Sequence, residues 1–190
     1  MIAATDSQRP MPLKQIEDYF RKYDKKSYEV FSQQGNQPST ADVAAFEKRV
    51  GFHLPAEFRE FAVHPLGGLY MAVKEELWPR AKAYDVGPFW SFLYGFMVFG
   101  FSAVAPDWLQ MSKAWLRLSE DGDAQLVPFL KVIGDADPYC FTRDQKIVIW
   151  RHENPSEPEG VAKSFSEVLM FEIHELEQRK ERKVKGEAIT

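Results

Sequence analysis

Few residues in this 190-residue chain could do chemistry, and their spacing argues against most of it. The four histidines, His53, His64, His152 and His174, do not pair with one another at helical spacing, and Cys140 is the only cysteine. A zinc site needs three or four such ligands converging, so no metal is expected. His174-Glu175 begins an HExxH element, but Gln178 stands where the second histidine is needed. There is no G-x-S-x-G elbow and no Gly-rich phosphate loop, and Gly67-Gly68 reads as a tight turn. The carboxylate pairs Asp135/Asp137 and Glu157/Glu159 lie in turns beside Gly or Pro, where water screens them, so acid–base work is not expected. Asp121, Asp123, Asp135 and Asp137 lack the spacing of a calcium loop. The expectation is a protein without catalytic residues or cofactor.

Composition narrows the class. The chain is 45% hydrophobic and 14% aromatic, which suits one globular domain able to bury its own core. With 24 basic and 28 acidic residues the net charge is −4, against the basic surplus of a nucleic-acid binder. Arg179, Lys180, Arg182, Lys183 and Lys185 cluster near the end and read as a solvated helix terminus. A lone cysteine excludes an intrachain disulfide framework and fits a reducing cytoplasm. The opening MIAATDSQRPMPL has no basic region followed by an apolar core, so it does not read as a secretory signal. Val86 to Pro106 is uncharged and near membrane-span length. Its glycines, prolines and six Phe or Trp residues instead match a buried strand pair or strand–helix unit, and no membrane association is expected.

These residues must be held by a succession of short elements. Residues 1–11 read as disordered, 12–180 as a single domain and 181–190 as a frayed tail. Leu13, Ile16, Phe20 and Tyr23 give an apolar face to a helix over 13–31. A loop over 33–39 leads to a helix capped by Thr40 and ended by Gly51, then to a second helix opened by Pro55. Strands follow at 69–73 and within 89–105. Trp108, Met111, Trp115 and Leu118 place one stripe on a helix over 107–118. Beyond an acidic turn at 120–123, strands near 126–132, 138–142 and 146–151 read as an antiparallel meander. Ser164 and Glu167 form a capping box for the last helix. The fold class is α+β: a mostly antiparallel sheet of about five to six strands, with helices packed on one face.

The helix pair over 40–68 resembles the opening of the SUKH superfamily, fungal cell-wall-assembly regulators and bacterial immunity proteins. Phe46-Glu47, Val50-Gly51, Leu54-Pro55, Phe58-Arg59 and Phe61 occupy its motif positions, with Gly67-Gly68 in the turn. Leu66 stands where the family often carries Asn, which leaves the construction of that turn open. Val127-Pro128-Phe129, Ile133-Gly134-Asp135, Tyr139-Cys140-Phe141, Ile147–Trp150 and Ser164-Phe165 extend the resemblance over about 40–178. It implies a non-catalytic protein that binds and neutralises a toxin domain, a nuclease or deaminase. The alternative is an intracellular regulatory or scaffolding protein with no toxin partner. A basic toxin would be met by acidic loops, making Asp121, Asp123, Asp135, Asp137, Asp144, Glu153, Glu157 and Glu159 the candidate contacts. Trp78 and Trp90 are the candidate aromatic anchors.

Overall fold

In the computed structural model, which describes residues 11–81, 88–120, 125–187 and 189, apolar spacing is converted into five α-helices and seven strands among those residues. Helix α1 spans Met11–Lys22 and buries Leu13, Ile16 and Phe20. It ends earlier than the expected 13–31, because Ser27 and Tyr28 donate backbone N–H bonds to the Asp24 carbonyl and turn the chain. Tyr28–Phe31 then becomes strand β1. Helix α2 spans Thr40–Val50; its N-cap is Ser39 rather than Thr40, and Asp42 completes the capping box. Helix α3 covers Ala56–Ala62 and strand β2 Tyr70–Val73.

The uncharged block yields one strand, β3 (Gly95–Val98), preceded by a 3-10 turn at Phe89–Phe92 whose Phe89 and Trp90 are exposed. A second 3-10 turn, Asp107–Leu109, precedes helix α4, Met111–Glu120. Strands β4 (Val127–Val132), β5 (Tyr139–Phe141), β6 (Ile147–Ile149) and β7 (Glu159–Val161) follow, and helix α5 runs Phe165–Lys185 from its Ser164 capping box. Residues 181–185, expected as a frayed tail, are helical, and Gly186 caps them in the left-handed conformation.

All seven strands pair antiparallel in chain order, β1 through β7. The sheet exceeds the expected five to six strands because Tyr28–Phe31, expected as the end of a helix, and Glu159–Val161, expected in a turn, are both strands. Period-two alternation divides its faces. Met71, Phe96, Phe141 and Ile147 point to the main core shared with α1, α3 and α5. There Phe58 of α3 lies 4.9 Å from the Phe141 ring and 5.1 Å from Phe165, edge-on to both. Helix α4 lies against β4 on the opposite face, where Leu118 packs with Cys140, Val148 and Trp150.

The helix pair owes its geometry to one buried carboxylate. Glu47 accepts the Leu54 backbone N–H at 2.7 Å, lies 2.9 Å from His53 Nδ1 and pairs with Arg59 at 3.8 Å. The motif glutamate therefore pins the α2–α3 join. Its replacement by alanine should strand the buried Leu54 donor and cost about 1–3 kcal/mol in urea unfolding. A loss below about 0.5 kcal/mol would place the control of the join elsewhere.

The following turn is built around Gln33, whose Nε2 donates to the Ala62 carbonyl at 2.6 Å and the His64 carbonyl at 3.0 Å. A Cβ on Gly67 would lie 2.8 Å from the Phe61 carbonyl oxygen and 2.9 Å from that of Ala62, and Gly68 has φ +58°, so both positions favour glycine. Gln33 takes part in holding a turn that, at the Leu66 position, lacks the asparagine.

Candidate functional site

The acidic loops proposed from sequence are largely committed to partners within the chain. Asp135 accepts the Asp137 backbone N–H at 2.9 Å. Asp137 accepts the His152 backbone N–H at 3.0 Å and lies 2.7 Å from its ring Nδ1 and 3.0 Å from Arg151 Nη1. Burial pushes the Asp137 carboxyl up, but the bonds from His152 and Arg151 outweigh it and hold the pKa below its ordinary value. Arg151 also binds Glu159. Asp144 sits on the β5–β6 hairpin with Lys146 Nζ at 2.7 Å and the Thr142 hydroxyl donating at 2.6 Å. Those bonds, Lys146 first, bring its pKa down to about 2. Glu157 accepts from Asn154 at 2.9 Å, and Glu153 is exposed. Asp121 and Asp123 lie outside the described residues.

The structure thus gathers Asp135, Asp137, Arg151, His152 and Glu159 into one mixed-charge network at the β5–β7 end of the sheet. Acceptors that bond internally have less to offer a basic partner. The cations near the C-terminus are also not simply a solvated end. Arg179 is buried and pairs with Glu172 at 3.7 Å, while Lys183 lies over the Trp78 ring.

The two tryptophans separate. Trp78 is fully buried, with its indole N–H donating to the Ser91 carbonyl at 2.9 Å, so it cannot serve as a rim anchor. The turn that follows β2 folds the ring inward. Trp90 is 47% exposed and remains available.

The structure also reveals an aromatic surface that the sequence reading missed. On the sheet face opposite α5, strand register aligns Phe31, Tyr70, Met97 and Lys131 in one row across β1 to β4. Trp108 stands over this row with its ring 5.5 Å from Tyr70, and the Arg80 guanidinium stacks 3.7 Å from the Tyr94 ring. Phe31, Tyr70, Tyr94, Met97, Trp108 and Ile133 line an open hollow of about 500 Å³. Phe31 is 47% and Trp108 43% exposed in a fold that encloses most of its other rings. A rimmed cluster of Trp, Tyr, Phe and Met is the composition of an interface core. The Glu-Val-Phe alternation of residues 29–31 was the available signal, obscured by assigning them to a helix. Trp108, expected on the stripe of a helix over 107–118, lies instead in the 3-10 turn before that helix, which begins at Met111.

Among the described residues, no group of three His, Cys, Asp or Glu is positioned to hold a metal ion, and no helix is long and apolar enough to cross a membrane. Cys140 is buried on β5. The geometry offers an apolar surface for contact, built on a rigid sheet. No curated protein matches the chain. The helix pair pinned by Glu47, the glycine turn and the β-meander running into the capped α5 all fall within or overlap residues 37–170, which match the SMI1 / KNR4 family (SUKH-1), and the chain belongs to that family.

Proposed function

We propose that this chain is a non-catalytic immunity protein that binds a toxin domain, a nuclease or deaminase, and blocks it stoichiometrically in the bacterial cytoplasm. Membership of the SMI1 / KNR4 family is consistent with an immunity or regulatory role. The observation that carries the reading is the aromatic cluster on one sheet face, where Phe31 and Trp108 are exposed around a half-buried Tyr70. Side chains of this type bury much apolar area at little entropic cost, which suits tight protein association.

The test is protection. Cells expressing toxin domains encoded beside this gene should survive only when the chain is present. Trp108→Asp combined with Phe31→Asp should abolish survival while leaving thermal unfolding within a few degrees of the parent, because both side chains are exposed. Growth that never depends on the chain, together with a stable complex with a housekeeping protein, would transfer the assignment to the regulatory or scaffolding alternative.

A further inference from the structure

The aromatic hollow does not end at Lys131. Met97, Trp108 and Ile133 also wall a second hollow of about 350 Å³, which reaches beneath α4 to Trp150. The charged residues lining it are Arg117 and Lys131, both cationic. Lys131 has no carboxylate partner for its ammonium among the described residues, and Arg117 reaches only the backbone carbonyls of Lys113 and Asp107, at 3.3 and 3.5 Å. Trp150 is 6% exposed, and its indole N–H is buried with no acceptor among the described residues. Buried donors are nearly always satisfied, so an orphan donor on a residue that lines this hollow, with two cations lining it too, marks a place for an anionic acceptor. This local charge is opposite in sign to the net charge of −4.

We infer that this trough seats an apolar segment of the partner protein bearing a carboxylate, which accepts the Trp150 indole N–H and lies against Lys131 and Arg117. The inference rests on the aromatic face being the partner's seat, and it specifies that partner's chemistry. The partner places its ring or aliphatic group on Met97 and Trp108 and its acidic group beyond them. Recognition is then by an acidic–apolar element rather than by a basic surface meeting acidic loops.

The experiment uses the ¹⁵N-labelled full chain and two probes, N-acetyl-tryptophan and its uncharged amide. The acid should shift the Trp150 indole N–H resonance in a saturable way. The amide should bind about tenfold more weakly, the scale of a lost charge-assisted bond. Lys131→Gln, a change on a partly exposed strand position, should weaken the acid about fivefold and leave the amide unchanged. Equal binding of acid and amide, an unaltered acid affinity in Lys131→Gln, or no movement of the Trp150 resonance would each overturn the inference. Because the purified chain is tested without a toxin, these failures leave the protection result standing, and a failure of protection leaves the probe result standing.

Discussion

Arg179→Met should destabilise the protein by about 3–5 kcal/mol at neutral pH, because it leaves Glu172 buried and without its cation. Glu172 and Arg179 lie one above the other on α5, with side chains 6% and 10% exposed and 3.7 Å apart. That separation makes an ion pair without a hydrogen bond, and Glu172 Oε2 and Arg179 Nη2 have no hydrogen-bond partner among the described residues. The Tyr139 hydroxyl supplies the one short contact, donating to Glu172 Oε1 at 2.8 Å. Burial raises the Glu172 pKa above its ordinary 4.5, and the Tyr139 bond and Arg179 charge only partly oppose it. The sign follows from proton counting. Above its raised pKa the folded protein carries a charge that the unfolded chain holds more easily, so ionised Glu172 weakens the fold. Lowering the pH through that pKa towards 4.5 protonates the folded state first and restores stability. Without Arg179 the pKa rises further, so the gap between variant and parent should narrow as pH falls. Urea unfolding of both proteins from pH 8 to pH 5 measures this, and a gap independent of pH would refute the pairing. Glu172→Gln in the Arg179→Met background should recover part of the loss, since a neutral amide is less costly to bury than a lone carboxylate.

Phe58→Ala should cost about 3–5 kcal/mol, the range for removing a fully enclosed phenylalanine whose surroundings cannot collapse. Phe58 has no exposed surface, and its ring meets Phe129, Phe141 and Phe165, with Phe129 and Phe141 themselves stacked 4.1 Å apart. Three elements, β4, β5 and α5, converge on this one side chain of α3, so a cavity there cannot be filled by a single rotamer change. Phe58→Leu should lose distinctly less, because most of the volume remains. Unfolding midpoints that rank alanine and leucine equally would mean that the cluster repacks freely.

Local signals determined much of this protein. Ser164 with Glu167, Gly51 after α2 and Pro55 before α3 act through backbone groups a few residues away, so those three helix ends were legible from sequence alone. The meander from β4 to β6 was legible because its short strands alternate with Gly, Asp and Pro. The motif order around Phe46-Glu47 and Leu54-Pro55 already indicated the family. What failed depended on distant partners. Tyr28–Phe31 continues a plausible helical face and becomes a strand only because β2, some forty residues later, offers an edge to pair with. The burial of Trp78 depends on the carbonyl of Ser91, and that of Arg179 on the enclosure of Glu172. Asp137 loses its apparent availability because Arg151 and His152, fourteen and fifteen residues further on, reach it in three dimensions. The candidate site is the extreme case. Phe31, Tyr70, Met97 and Lys131 are spread over a hundred residues, and only strand register sets them in one row. Capping and turns are short-range and written in neighbouring residues, whereas an interface is a property of a surface, and the surface exists only once the sheet has formed.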